Sequence, residues 1–413
     1  LVTDAAGAGG SAAAAGLAIG EVQRRAALRF VVLIGVVSLF ADLTYEGARS
    51  ITGPYLAVLG ASATAVGVVT GVGELLGYSL RLVSGRLSDR LRAFWPVTIV
   101  GYVVQMTSVP ALALAGSWPM AALLIIAERV GKAIRNPPRD AMLARAGETI
   151  GRGWGFGLHE ALDQLGALVG PLVVAGVLAV DGRYPAAFAA LLISAVLTLA
   201  SLTAARLAYP QPPGLAAPPA DLQGTGLPAR YWLYLTAAAF VAAGFADFSL
   251  ISFHFERRHV VDPALVPIFY AAAMGAGGTA ALIMGRLYDR VGIGLLVPLT
   301  IVGVAVAPLA FLGGAVAAFL GAILWGASLS VHESVMAAAV AEMVPPSRTA
   351  SAYGIFTMAF GIAWFLGSAL LGLLYDRSLP LMVLVAVLLQ LAAVPFLVAV
   401  ARRPAATAGE IRR

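Results

Sequence analysis

The sequence has no cysteine, and Lys132 is its single lysine among 27 lysine and arginine residues. Without cysteine there is no disulfide, no thiolate nucleophile and no sulfur ligand for a metal. The four histidines, His159, His254, His259 and His332, have no cysteine with which to complete a ligand set, so no dedicated metal site is expected. The Gly-x-x-x-x-Gly-Lys-Ser/Thr pattern that cradles nucleotide phosphates is also missing, which excludes ATP hydrolysis as an energy source. Charge is scarce as well. Only 12% of residues are charged, about half the ~25% of a soluble domain.

What is present is apolar. Hydrophobic residues make up 60% of the chain, and the mean hydropathy is +0.90. Runs of about 20 apolar residues recur along the whole chain, the length that crosses a bilayer as a helix. A single water-soluble core cannot absorb segments that are apolar on every face. The chain reads as an integral membrane protein whose first partner is the lipid bilayer. Its net charge of +6 is spread between the apolar runs rather than gathered in one patch. Those arginines signal topology, and no nucleic-acid partner is expected.

Twelve spans emerge, at 29–48, 64–84, 95–115, 118–136, 154–179 and 185–206, then 231–253, 264–285, 294–313, 316–341, 350–374 and 380–401. Residues 1–28 begin with a small-residue, low-complexity stretch that reads as a disordered tail. Residues 209–230, rich in proline and glycine, read as a linker between two six-helix halves (29–208 and 231–401), and 402–413 as a second tail. Arg86, Arg90, Arg139, Arg145, Arg286, Arg290, Arg348 and the arginines of both tails fall on one side. Arg49, Arg183, Arg257, Arg258 and Arg377 fall on the other. That asymmetry places both termini in the cytoplasm.

The halves repeat. Gly85-Arg86-Leu87 with Asp89 and Arg90 matches Gly285-Arg286-Leu287 with Asp289 and Arg290, and Phe40-Ala41-Asp42 matches Phe245-Ala246-Asp247. "FGLHEALDQLGALVGP" lines up loosely with "YGIFTMAFGIAWFLGS". Three matches in register point to a duplicated six-helix unit, with a solute site between the halves near mid-membrane.

These residues resemble the major facilitator superfamily. Its loop signature between helices 2 and 3, G-x-L-(S/A)-D-R-x-G-R-(R/K), is similar to Gly85, Leu87, Ser88, Asp89 and Arg90, with Leu91-Arg92-Ala93 in place of x-G-R. The second copy, Gly285 to Gly292, is the weaker repeat. The resemblance implies twelve transmembrane helices in two pseudo-symmetric bundles, with Asp89 and Asp289 in cytoplasmic latches. The helix-4 motif R-x-x-Q-G-x-G is approximated by Arg129, with Lys132 and Ala133 where Gln and Gly would stand. The helix-5 antiporter motif begins with Gly166, Gly170 and Pro171, then departs at Val174-Ala175. Two further strings, "ERVGKAIRNPPRDAML" and "SVHESVMAAAVAEMVPPSRTASAYGIF", resemble a branch of bacterial permeases of unassigned substrate.

Ionisable groups inside spans cost roughly 2.5–3.5 kcal/mol each on insertion scales and need a reason to be there. Asp42, Glu46 and Arg49 share one helical face at i, i+4 and i+7. Glu74 sits in span 2; Glu128, Arg129, Lys132 and Arg135 in span 4; His159, Glu160, Asp163 and Gln164 in span 5. The second half adds Asp247, His332 and Glu333. Counting from the predicted faces places Glu128, Arg129 and Asp163 near mid-depth. Two readings stand side by side: a polar cavity in which Arg129 balances anionic groups while a carboxylate such as Asp163 carries a proton, or buried pairs that tie helices 4 and 5 together.

The expectation is a monomeric secondary transporter of the bacterial cytoplasmic membrane. It moves a small solute by alternating access, driven by a proton gradient rather than a cofactor, and the helix-5 motif leans toward export. The alternatives are an uptake permease or facilitator for an anionic or zwitterionic metabolite, or a transport-inactive sensor. An enzyme is not expected, because His159 with Asp163 lacks a nucleophile.

Overall fold

The computed structural model describes residues 5–91, 93–211, 227–344 and 348–402, and among them there is no strand. The first half comprises α1 (Ala5–Val58), α2 (Ala63–Leu91), α3 (Phe94–Ala111), α4 (Trp118–Ile150), α5 (Arg152–Asp181) and α6 (Tyr184–Ala208). The second comprises α7 (Ala229–Gly244), α8 (Phe248–Arg258), α9 (Leu265–Val291), α10 (Leu296–Gly303), α11 (Val306–Leu312), α12 (Ala315–Met343), α13 (Thr349–Arg377) and α14 (Leu379–Arg402). Among the described residues, ten stretches are long and apolar enough to cross a membrane. One of them, Leu265–Leu312, turns at Gly292 (φ 69°) and makes two passes. The charged α4 adds another, which completes twelve. Side chains such as Leu192, Ile193 and Val196 point outward and stay exposed, which suits a helix that faces lipid.

The two halves pack alike. α5 lies along α1 as α13 lies along α7, and α4 lies along α2 as α12 lies along α9. Gly166 and Gly170 bring α5 onto the α1 backbone, against Leu39 and Leu43, and Gly367 brings α13 onto Ala243 of α7. Backbones approach this closely only where no side chain intervenes.

Several sequence expectations change. α1 is helical back to Ala5, through the stretch expected as a disordered tail; alanine is the strongest helix former and abounds there. α1 also continues past residue 48 to Val58, so Arg49 lies inside the bundle rather than in an external loop. α4 runs on past residue 136 through Pro137 and Pro138, and it buries Arg139. A proline deprives the carbonyl four residues earlier of its partner. Here Ser84 Oγ donates to that carbonyl, Ala133 O, at 2.9 Å, so the helix continues.

Span 7, expected as continuous, breaks at Phe245–Asp247 between α7 and α8. Freed carbonyls inside a membrane need donors. Gln390 Nε2 donates to Gly244 O at 3.1 Å and Trp325 Nε1 to Ala246 O at 3.0 Å. The Asp247 carboxylate caps α8, accepting from Ser249 N at 2.8 Å. Of the expected linker, residues 212–226 lie outside the described residues, and α7 already begins at Ala229. Residues 403–413 lie outside them too.

The ends of the bundle differ. At the face away from the Gly-Arg-Leu repeats, the halves are clamped. Gly53 of α1 packs on Ser249 and Phe253 of α8, and Gly67 of α2 on Ser368 of α13. Asp376 of α13 caps α2 across the interface, accepting from Ala63 N at 3.0 Å, Thr64 N at 2.8 Å and Thr64 Oγ1 at 2.6 Å. Tyr184 OH donates to Glu256 at 2.6 Å. At the repeat face no described hydrogen bond or ion pair of Arg90, Arg286, Asp289 or Arg290 crosses between halves. There Arg81 of α2 and Glu160 of α5 are exposed.

Candidate functional site

A cavity of about 460 Å³ lies between the halves, within the range of about 300–1,000 Å³ for small-molecule sites. Its first-half wall carries Asp42, Glu46, Arg49, Glu74, Arg81, Arg129, Lys132, Glu160 and Asp163; its second-half wall carries Met274, His332, Phe356, Phe360 and Trp364.

The charges form a chain of alternating sign. Asp247 Oδ2 lies 3.3 Å from Arg49 Nη2, which is 3.6 Å from Glu74 Oε1. Arg129 Nη1 is 3.1 Å from the same Glu74 oxygen, and its Nε is 3.6 Å from Glu128 Oε2. Gln105 Nε2 donates to Glu128 Oε1 at 2.8 Å, and Arg135 Nε donates to Gln105 Oε1 at 2.6 Å. Arg135 Nη2 then meets Asp42 Oδ1 at 3.4 Å. The chain thus begins on the second half and winds through α1, α2, α4 and α3 before returning to α1. At the cavity, a further contact between halves is the 2.5 Å bond from Tyr270 OH to Glu46. Buried charge is sustainable when each group has a counter-charge or a donor, and this chain supplies them.

Tyr45 sits beneath the cations. Its hydroxyl accepts from Arg129, and its ring lies 3.5 Å from Lys132 Nζ and 5.0 Å from the Arg129 guanidinium carbon. Both distances suit a cation over a π-face.

Asp163 is different. Its Oδ1 is buried with no hydrogen-bond partner, and the charges acting on it are those of Asp42, Arg139, Lys132 and Glu160. It does not meet Arg129, whose guanidinium is taken by Glu74 and Glu128. Nor does it hold His159, one turn away. The His159 ring bonds Ser38 at 2.8 Å, and Ser38 also accepts from Arg139 at 3.2 Å. Glu160 is exposed and accepts from Gln164 at 3.0 Å. His332 stands edge-on to Phe245, at 5.4 Å between ring centres, with Nδ1 unpartnered.

The structure therefore brings Asp42, Glu46, Glu74, Glu128, Arg129, Lys132, Glu160, Asp163, Asp247 and His332 into one region, around the cavity or on the chain that feeds it. It leaves Gly85, Arg90, Gly285, Asp289 and Arg290 at the repeat face, away from the cavity lining. The side chains of Asp89 and Glu333 lie outside the described residues. Gly166 and Gly170 serve the packing of α5 on α1, with Pro171 inside α5. The sequence-derived site omitted Arg49, Tyr45, Gln105 and Tyr270. Of these, only Arg49 had a legible signal, its place on the Asp42 face. It also omitted the aromatic stripe Phe356, Phe360 and Trp364, whose i, i+4, i+8 spacing looks the same as ordinary core.

The sequence matches the Major Facilitator Superfamily over residues 34–368. It is 45% identical over 381 residues to an uncharacterized protein of Mycobacterium tuberculosis (strain ATCC 25618 / H37Rv), covering 91% of this chain and 93% of that one. The fold is similar to that of a bacterial homolog of the human lysosomal transporter Spinster, solved in an inward-facing and unoccupied conformation. That likeness has TM-score 0.72 and 12% identity, over 91% of this chain and 97% of that one. The nucleoside transporter NupG is similar at TM-score 0.71 and 14% identity, over 91% of this chain and all (100%) of that one. With the duplicated bundles and the cavity between them, these matches identify the chain as a member of the major facilitator superfamily.

Proposed function

We propose that this protein is a proton-coupled secondary transporter of the bacterial cytoplasmic membrane, with the repeat face and both termini toward the cytoplasm. It moves a small organic solute by alternating access. The observation that carries this reading is the charge chain from Asp247 to Asp42, which is anchored on both halves at the wall of the cavity between them. Rocking the halves apart at the clamped face must part Arg49 from Asp247, and that frees a cation to strengthen its hold on Glu74. Arg129 then shifts toward Glu128, and the change passes through Gln105 and Arg135 to Asp42.

Asp163, without a partner beside Asp42, is the natural proton carrier. Two neighbouring carboxylates with cations about them exchange a proton when a cation's commitment changes. The asymmetry of the two faces supports an inward-facing state. Because Gly166 and Gly170 have a packing role here, the helix-5 motif argues less for export than it did in sequence alone.

The absence of cysteine makes a test direct. Single cysteines at Thr357, on the cavity wall, and at Ser252, buried at the clamped face, are labelled with an impermeant maleimide in proteoliposomes. Labelling of the two sites should change reciprocally when an imposed pH gradient is reversed. Fixed labelling at both sites under every gradient would remove the proton-coupled alternating-access reading.

A further inference from the structure

We propose that the transported solute is an amphipathic organic anion, with its anionic head held by Lys132 and Arg81 and its ring or apolar body against the aromatic stripe of α13. This rests on the transporter reading above.

The argument begins with which charges are already satisfied. Arg49 has Asp247 and Glu74, Arg129 has Glu74 and Glu128, and Arg135 has Asp42. Two cations on the cavity wall have no carboxylate within 4.0 Å among the described residues. Lys132 rests on the Tyr45 ring, and Arg81 lies 5.6 Å from the centre of the Tyr78 ring. A π-face is a weak partner for a cation compared with an anion that also accepts its hydrogen bonds. Both cations are thus held in the cavity with capacity to spare.

Three acids of the wall, Asp42, Glu46 and Glu74, are committed by contrast. Glu46 accepts from Tyr270, Asp42 faces Arg135, Glu74 faces two arginines, and Glu160 holds the Gln164 amide. Asp163 Oδ1 is sealed from solvent. A cationic solute would meet Lys132 and Arg81, and of the wall's acids only Asp163 and the exposed Glu160 lack a cation or hydroxyl partner.

The opposite wall selects the body of the solute. Phe356, Phe360 and Trp364 repeat along one face of α13 with ring centres 5.8 and 5.7 Å apart, and Met274 and Leu329 complete an apolar surface. Nearly all cavity charge belongs to the first half and the aromatic stripe to the second. An amphipathic anion therefore touches both halves at once, and its binding draws the repeat face together, as a solute must for its own occlusion.

The sense of coupling follows from the groups around Asp163: Asp42 of α1, Arg139 and Lys132 of α4, and Glu160 and His159 of α5. When an anion occupies Lys132, Asp163 faces Asp42 and Glu160 with Arg139 as its remaining counter-charge. A proton on Asp163 restores the balance. Anion and proton then travel in the same direction.

The test uses matched sets on one scaffold: 4-phenylbutyrate, its amide and its amine, with naphthyl and indolyl equivalents, titrated against the purified full chain by tryptophan fluorescence. The acid should bind at least tenfold more tightly than its amide or amine in the sets that bind. Lys132→Gln should remove that preference, Arg81→Gln should reduce it, and Lys132→Arg should keep it. Phe360→Ala should weaken all three members of a set alike, with each variant's melting temperature reporting that it is folded. Preference for the amine, a preference unchanged in folded Lys132→Gln, or no acid binding to the native chain would overturn the proposal. Reciprocal labelling of the Thr357 and Ser252 cysteines requires no solute, so it separates failure of this substrate class from failure of the transporter reading.

Discussion

Arg49 of α1 joins the two halves through a 3.3 Å contact with Asp247, the residue that also caps α8 at the break in its span. One side chain thus depends on both a helix interruption and the position of the opposite bundle. Removing one partner of a buried pair leaves the other charge uncompensated, at a cost of about 3–5 kcal/mol. Arg49→Gln should lower the melting temperature and loosen the clamped face. It should also speed maleimide labelling of a cysteine at Ser252. Unchanged labelling would show that the glycine contacts at Gly53 and Gly67 hold that face without the pair.

Asp163→Asn removes the proposed proton site and keeps the shape. The variant should still close and open, but the reciprocal labelling at Thr357 and Ser252 should no longer respond to the pH gradient, and any rise in anion affinity at low pH should vanish. Retention of the gradient response would move the proton to Asp42, at the end of the charge chain.

A Cβ at Gly166 would meet the Leu39 carbonyl of α1, whereas one at Gly176 would meet nothing within 4 Å. Gly166→Val should therefore cost about 1–3 kcal/mol of overpacking strain or more, seen as a clear drop in melting temperature. Gly176→Ala should be neutral or raise stability by up to about 1 kcal/mol through helix propensity. Equal effects at the two sites would mean that α5 is not seated on α1 as described.

The proposed alternating-access cycle closes the repeat face, and Asp89 belongs to the stronger of the two motif copies. Spin labels at Leu87 and Leu287, exposed near the ends of α2 and α9, should show a long and a short distance in the native chain as pH is varied. Asp89→Asn should lose the short distance, and Asp289→Asn should only reduce its share. An undiminished short distance in Asp89→Asn would remove the latch role.

The sequence alone determined the solvent, the number of spans, the doubling and the position of the Gly-Arg-Leu repeats. Each of these is local: apolar length, small-residue spacing and charge between runs are legible within a few turns of chain. It also showed that Asp42, Glu74, Arg129 and Asp163 needed partners, because burial of any charge demands one. Which partner each would find was decided by tertiary structure alone. Arg49 and Asp247 lie 198 residues apart; their meeting depends on how α1 is turned and where span 7 breaks. Arg129 chose Glu74 over Asp163 because α2 and α4 pack together and place that carboxylate at the guanidinium. The persistence of α4 through Pro137 and Pro138 likewise rests on Ser84, a residue of another helix. Hydrophobicity accumulates along the chain, whereas pairing depends on the rotation of each helix against its neighbours. Only the folded molecule fixes that rotation.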